Sequence, residues 1–460
     1  MKDLVTEAAK TPFAKHYQPL LQYSHCFIAY SGGLDSTVLL HSLSCFFTAL
    51  QSENPDSVSI PQLTAIHINH QLHSDSAKWQ EHCVTSCQQL SITLIAEKVL
   101  VQADGNGIES AARQARYQVF EQQLNSVQGS ACLLMAHHAN DQAETVLMRL
   151  SRGAGTSGAA GIPQARSLAK ADLIRPLLAY SRSELEQYAI ENQLAYIDDP
   201  SNSDESFDRN FIRRQVLPLL QQRWPAVVAN LERFANIAAS DKRLLSDLAE
   251  IDFATLDLSA EAFGESIAVE TIKQFGTSRK NNILRFWLAQ KQINNPSQAV
   301  IAQIEALINS NSSEAKVLLA SDFAGQYRIS IYRDRLYLLN NNKLEQAAES
   351  LNSAAVWHTD QALTIKGLGQ LTAKLLESND AVMVQGQYTV GARYDGQKYR
   401  YQDMSRSIKK CFNEQGIPPW LRDCYPVVYS GDIVAAIPGI LICDDFRQAG
   451  GWQLQWSWLD

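Results

Sequence analysis

The stretch Ser31-Gly32-Gly33-Leu34-Asp35-Ser36 follows the apolar run at 26–30 without a break and leads straight into Thr37-Val38-Leu39-Leu40. A buried strand, a glycine turn and a helix N-terminus in that order make an anion site, because unpaired backbone N–H groups and the positive end of the helix dipole face one point. The glycines let the chain approach a phosphate closely, the serines add hydroxyl donors, and Asp35 supplies a carboxylate for Mg²⁺. Taken alone, the six residues also fit a plain helix entry with its cap. Rival nucleotide motifs do not compete. The chain has no G-x-x-x-x-G-K-[ST], and Gly153-Ala154-Gly155-Thr156-Ser157-Gly158 follows a helical stretch at 141–150 where a dinucleotide fingerprint needs a strand. That segment is expected to be a mobile glycine-rich loop.

Strand-like runs recur at 26–30, 63–68, 92–95, 131–136 and 173–178, nearly continuous in apolar residues and separated by helical segments. Strands buried on both faces read this way, and the β/α alternation gives an α/β fold with a doubly wound parallel sheet. Ser181-Arg182-Ser183-Glu184 has capping-box spacing and predicts a helix to about Asn192, while Asp198-Asp199-Pro200-Ser201-Asn202 predicts a turn. Between 211 and 309 apolar residues return at helical spacing, in Ile283, Leu284, Trp287, Leu288 and in Val300, Ile301, Ile304, Leu307, Ile308. Alternating runs at 327–332 and 336–339 then predict a small hairpin. The expected organisation is a doubly wound α/β domain carrying the phosphate loop at 1–215, a mostly helical middle domain at 216–340, a polar linker at 341–360 and a small mixed α+β domain at 361–460 with one helix at 404–415.

With 460 residues, 45% of them hydrophobic, the chain has ample material for these cores, and no apolar stretch nears the roughly 20 residues of a membrane span. The first residues lack the apolar core of a secretory signal, so a cytoplasmic protein with reduced cysteines is expected. Cys83 and Cys87, beside His82, lie four apart on one helical stretch with no second ligand pair, and no structural zinc is expected. The net charge of −8 moves the question of nucleic-acid binding from the whole chain to local patches.

The loop at 31–36 resembles the pyrophosphate-binding SGGxDS loop of the N-type ATP pyrophosphatases, which cleave ATP between its α- and β-phosphates and pass AMP to an acceptor oxygen. Further segments occur in the order and at intervals similar to those of tRNA(Ile)-lysidine synthetases: His67-Ile68-Asn69-His70, Arg113-Gln114-Ala115-Arg116-Tyr117, the run from Ala136 to Thr145, Arg152-Gly153-Ala154-Gly155, Ile174-Arg175-Pro176-Leu177 and Arg209-Asn210-Phe211-Ile212-Arg213. The resemblance reaches the C-terminal domain through Pro418-Pro419-Trp420-Leu421-Arg422-Asp423 and Val434-Ala435-Ala436-Ile437-Pro438-Gly439. It implies an ATP-dependent ligase that attaches L-lysine to the wobble cytidine in the CAU anticodon of a minor isoleucine tRNA, as a monomer or homodimer away from membranes. The C2 carbonyl oxygen is adenylated with loss of pyrophosphate, and the lysine amine then displaces AMP, changing the identity of the tRNA from methionine to isoleucine.

The resemblance also implies the site. Ser31, Gly32, Gly33, Leu34, Asp35 and Ser36, with His67, His70 and His137, are expected on ATP; Asp35 and Asp141 on Mg²⁺; and Asp141, Glu144, Arg113, Arg116, Arg209 and Arg213 at the reacting groups, with Glu144 holding the lysine ammonium. Spacing is compatible. Asp141 and Glu144 are three apart, Arg113 and Arg116 three, Arg209 and Arg213 four, so each pair shares a helical face, although acids at a helix N-terminus and arginines on a solvated face read the same way. His137 and His138, if on a strand, point to opposite sides and do not share a metal. Asn140 stands where the family often has an aspartate, which puts a metal role for that position in doubt.

For tRNA, residues 391–425 carry Arg393, Lys398, Arg400, Arg406, Lys409, Lys410 and Arg422 against four acids, interleaved with Tyr394, Tyr399, Tyr401 and Trp420. Cations among aromatics suit phosphates and unstacked bases. This patch, including Trp420, is expected to grip the tRNA, against the plainer reading of a domain that only stabilises the fold. Two other functions stay open: another tRNA-modifying adenylating enzyme of the same loop family, and an ATP-responsive tRNA-binding protein without turnover.

Overall fold

The computed structural model describes residues 11–53, 59–71, 74–100, 108–199, 204–293, 296–310, 316–321 and 325–458. The chain forms two compact units, 1–244 and 245–460.

The first unit is built on a six-stranded sheet in the order β3-β2-β1-β4-β6-β5, with β1 His25–Ala29, β2 Gln62–Asn69, β3 Thr93–Lys98, β4 Ala131–Leu134, β5 Ala165–Leu168 and β6 Ala171–Ile174. All neighbours pair in parallel except β5, which returns antiparallel on the edge. The strands read as continuous apolar runs because both faces are covered. Cys26 and Ile28 of β1 enter one core and Phe27 the other, and in β4 Cys132 and Leu134 oppose Leu133 in the same way. After the short α1 Ala14–Tyr17, the helices α2 Leu34–Glu53 and α3 Ser76–Gln89 supply Val38, Leu39, Leu43, Cys83 and Cys87 to the first core, and α4 Ile108–Ser126 supplies Phe120 and Leu124 to the second. Each such leucine or phenylalanine contributes about 1.5–3 kcal/mol by leaving water.

The expected strand at 173–178 is shorter than its apolar run: β6 ends at Ile174, and the residues that follow it form a turn. The sequence missed β5 because three of its four residues are exposed. The remaining helices of the unit are α5 Ala139–Ser151, α6 Thr156–Ala159, α7 Arg182–Glu191, α8 Asp208–Phe211 and α9 Leu217–Arg223, with a π turn at Ile212–Val216 joining the last two. The capping box of α7 is present, Ser181 Oγ accepting from the backbone of Glu184 at 3.3 Å. Of the expected turn at 198–202, positions 200–202 lie outside the described residues. The unit boundary falls inside the long helix α10 Val227–Phe253.

In the second unit the middle region is less purely helical than expected. A hairpin, β7 Leu258–Glu261 and β8 Gly264–Ala268, precedes α11 Val269–Lys273, α12 Thr277–Gln290 and α13 Gln298–Asn309. The hairpin anticipated at 327–339 is part of a five-stranded sheet, β7-β8-β11-β10-β9, with β9 Lys316–Ser321, β10 Gly325–Tyr332 and β11 Arg335–Asn340. Alternation along β11 explains why middle and C-terminal regions fold as one unit. Leu336 and Leu338 enter the core of α12 and α13, whereas Tyr337 and Leu339 enter the C-terminal core.

The linker expected at 341–360 is not a linker. Residues Asn341–Ser350 form helix α14, and Leu344, Ala347 and Leu351, at helical spacing, are buried in the C-terminal core. The helix expected at 404–415 also divides: Met404–Ser407 is a strand paired with Lys398–Tyr401, and the helix covers only Ile408–Glu414. No helix among the described residues is long and apolar enough to cross a membrane.

Candidate active site

The carboxyl ends of β1, β2, β4 and β6 converge, and the strand order reverses between β1 and β4, which is where open α/β sheets bind ligands. The loop after β1 and the residues after β4 therefore face the same crevice.

In the glycine loop, Gly32 has φ +84°, and a Cβ there would lie 2.6 Å from Cδ1 of Ile197 and 2.9 Å from Sγ of Cys83. Only glycine fits. Ser36 braces the turn, its Oγ accepting from the Ser31 backbone N–H at 3.3 Å and donating to the Gly33 carbonyl at 3.1 Å. Ile197 N–H donates to the Gly32 carbonyl at 2.9 Å, tying the loop to a segment far along the chain.

After β4 the backbone leaves the strand, and His138 serves as N-cap of α5. Its Nδ1 accepts from the Asp141 backbone at 3.4 Å while Oδ2 of Asp141 accepts from the His138 N–H at 3.0 Å. Nε2 of His138 stands 3.5 Å from Asp35 and 3.6 Å from Asp141. Burial opposes a charge on His138, but the carboxylates of Asp35, Asp141 and Glu144 outweigh it and raise its pKa. For Asp141 burial likewise works against the charge, and His138, Arg209 and His137 hold the carboxyl below its usual range. His138 was not among the expected site residues. The two histidines are in a loop rather than a strand, so the alternation argument did not apply.

Asp141 and Glu144 are not a solvated pair: they are 7% and 1% exposed. Arg209 donates from Nε to Glu144 at 2.9 Å and from Nη2 to Asp141 at 2.7 Å. Arg213, from the π turn, donates from Nε to Oε1 of Glu144 at 2.6 Å and from Nη2 to Oε2 of Glu144 at 3.0 Å and Oδ1 of Asp141 at 3.2 Å. Leu217 of α9 packs with Ala139 and Ala143, which docks the arginine-bearing helix on α5. π turns recur at functional sites, and two charges of each sign cancel within the cluster.

Oxygen bookkeeping separates the two carboxylates expected on Mg²⁺. Oδ1 of Asp35 is buried with no hydrogen-bond partner, so it fits a hard cation. Both oxygens of Asp141 already accept hydrogen bonds, Oδ1 from Arg209 and Arg213 and Oδ2 from the His138 N–H, so Asp141 has room for a metal on Oδ2 alone. Among the described residues no group of three metal-ligating side chains is assembled, and a cation held here would take its remaining ligands from phosphate and water. Asn140 makes a structural contact instead, its Oδ1 accepting from the Arg182 N–H at 3.0 Å, at the start of α7.

The other expected contacts are less uniform. His67 is buried, its Nδ1 donating to the Tyr30 carbonyl at 3.0 Å. His70 has a buried Nδ1 without a partner, and burial, then the charges of Arg116 and His67, push its pKa down to about 4. Arg113 lies 5.0 Å from the centre of the Tyr117 ring, which also carries Arg166 at 5.2 Å. Among the described residues Arg113 forms no ion pair with the four-charge cluster. The glycine-rich segment contains α6 and is pinned to α5: Arg149 donates to the carbonyls of Gly158 and Gly161 at 2.9 and 2.7 Å, and Gln142 exchanges hydrogen bonds with Ile162. A cleft of about 320 Å³ opens beside this cluster, lined by Asn140, Glu144, Arg182, Asp198, Arg213 and Gln221.

The C-terminal basic residues divide into two groups. Lys398, Arg400, Lys409 and Lys410 are exposed on one hairpin and the following helix, with Arg406 half-buried beside Tyr401. Arg393 is paired with Asp395 and Asp423, Arg422 donates to the Ile417 carbonyl, and Trp420 packs edge-on against Tyr332 and Tyr337. The side chains of this second group make contacts within the domain.

Three family models match the chain: a PP-loop domain at 5–220, a TilS substrate binding domain at 268–337 and a TilS substrate C-terminal domain at 389–458. The chain is 36% identical to the tRNA(Ile)-lysidine synthase of Serratia proteamaculans, over 94% of its own length and 96% of that protein. It is 34% identical to the enzyme of that name from Coxiella burnetii, over 96% and 94%. Among solved structures, the U34-tRNA thiolase NcsA from Methanococcus maripaludis matches with 16% identity and a TM-score of 0.40, covering 52% of this chain and 80% of that one.

Proposed function

The chain belongs to the tRNA(Ile)-lysidine synthase family, and from that premise we propose how its cleft works. It is an ATP-dependent ligase that forms lysidine on tRNA(Ile). The observation that carries the detailed reading is the pairing of the buried Asp141 and Glu144 with Arg209 and Arg213 beside the glycine loop.

The loop at 31–36 holds the pyrophosphate of ATP on its backbone N–H groups and the N-terminus of α2. Asp35 would hold Mg²⁺ through its unpartnered oxygen, and the bound ion would supply positive charge to the phosphates. The C2 carbonyl oxygen of the wobble cytidine attacks the α-phosphorus, forming the O–P bond as the bond to pyrophosphate breaks. The lysine amine then attacks C2, and AMP leaves with the oxygen.

Glu144 orients the amine. Each carboxylate oxygen takes about two hydrogen bonds, and among the described residues Oε1 accepts only from Arg213, so it has room for an ammonium in the adjoining cleft. Arg209 and Arg213 pair with the buried carboxylates of Glu144 and Asp141 and supply positive charge to the phosphate that develops into AMP. Lys398, Arg400, Arg406, Lys409 and Lys410 form the tRNA-gripping part of the C-terminal patch.

Substituting Asp35→Asn tests the reading. Adenylation of tRNA should be lost while tRNA affinity is retained; parallel loss of both would make Asp35 a structural residue.

A further inference from the structure

Arg175 follows β6 and is 4% exposed, yet its described partners are the Pro163 carbonyl, accepting from Nη1 at 2.6 Å, and a ring nitrogen of His137, accepting from Nε at 3.3 Å. Buried guanidinium groups ordinarily face a carboxylate, because an unpaired charge away from water is costly. Among the described residues no carboxylate forms an ion pair with Arg175. Burial, and after it the charges of Arg166 and Arg113, push its pKa down to about 10, still well above neutrality.

A guanidinium only donates, so Nδ1 of His137 must be the unprotonated nitrogen. The proton of the neutral ring is then on Nε2, the nitrogen left to face a ligand. His137 sits at the exit of β4 in the crevice, four residues before Asp141.

We infer that Arg175 is a positioning residue for the reaction: its Nε–H, given to Nδ1, locks His137 in the Nε2–H tautomer, so the imidazole offers the crevice at the strand ends a donor and no base. The inference rests on the reading of His137 as a nucleotide contact. An Nε2–H aimed at a phosphate oxygen, or at the oxygen that leaves with AMP, stabilises the charge that develops there and takes no proton from the amine.

The test has two parts on the full-length protein. With ¹⁵N-labelled histidine, long-range proton–nitrogen correlation near neutral pH, with the His137 signal identified by its loss in H137Q, should give a pyridine-like Nδ1 and a pyrrole-like Nε2. R175M should turn that single tautomer into a mixture. A protonated Nδ1 in the unsubstituted protein overturns the inference, whatever the variants do.

In steady state, R175M should lower kcat for lysine incorporation by about 10- to 100-fold, the usual scale for losing an orienting partner, with KM for tRNA nearly unchanged. R175K, which keeps a donor, should recover part of the loss and also serves if R175M does not fold. In an H137Q background the R175M loss should largely vanish; an undiminished loss means that Arg175 does not act through the imidazole. Full activity of H137Q with the tautomer as stated overturns instead the nucleotide-contact reading, and the positioning role with it.

Discussion

Arg213 Nε lies 2.6 Å from Oε1 of Glu144, joining a π turn to a buried helix across 69 residues of sequence. Because Glu144 is buried, the pair is strong only while both partners remain. Glu144→Gln leaves two guanidinium groups facing Asp141 alone and should cost about 3 kcal/mol by urea unfolding, the scale for breaking a buried pair. Adding Arg213→Gln should cost less than the sum of the single changes, and simple additivity would mean the contact is not energetically coupled.

The glycine loop gives a contrast between neighbours. Gly32→Ala places a Cβ against Ile197 and Cys83 in a left-handed conformation, and should cost about 1–3 kcal/mol with a loss of ATP affinity. At Gly33 the nearest atom is Ser31 Oγ at 3.5 Å, so the fold should tolerate alanine there, whatever a Cβ facing the phosphates does to ATP affinity. Equal losses of stability for the two variants in thermal unfolding would rule out this packing explanation.

Stability should depend on pH through two histidines. His137 has its pKa pushed down to about 4 by burial, against the pull of Asp141, and His70 likewise to about 4, whereas both return to about 6.5 on unfolding. Between these values the unfolded chain binds more protons, so their contribution is present above pH 6.5 and is lost as the pH falls toward about 4. Urea midpoints measured across that window should fall on acidification, with a shallower slope for His70→Gln; an unchanged slope would remove His70 from the account.

Arg149 should pin the glycine-rich segment. Arg149→Met removes the donors to the Gly158 and Gly161 carbonyls and should speed amide hydrogen exchange across α6. Exchange there that stays at the unsubstituted rate would show that Gln142 and Ile162 suffice.

The two classes of C-terminal cation should respond differently. Lys409→Ala with Lys410→Ala should weaken tRNA binding and reduce the slope of log affinity against log salt by about 2, without loss of stability. Trp420→Ala should destabilise the fold, because the ring is packed on Tyr332 and Tyr337. If the double lysine change leaves the slope intact, this patch does not carry phosphate contacts.

What the sequence disclosed follows from how local each signal is. The β1–loop–α2 unit and the cap at Ser181 are determined by residues within a few positions, and both are present. Arg209 and Arg213 meet Asp141 and Glu144 only through the fold; order along the chain, with the family resemblance, brought them forward, while their spacing fits a solvated face equally well. Polar composition at 341–360 hid α14, although Leu344, Ala347 and Leu351 carry the helical period. The short strand at Met404–Ser407 has no buried alternation to reveal it, and nothing local to Trp420 shows the two tyrosines that meet its ring.

The most direct test combines purified protein with ATP, Mg²⁺, labelled lysine and an isoleucine tRNA transcript bearing a CAU anticodon. Lysine should enter the RNA with stoichiometric release of AMP, and replacing the wobble cytidine should abolish incorporation. AMP release without lysine entering the RNA would contradict the account, because the cluster around Glu144 would then serve a different nucleophile.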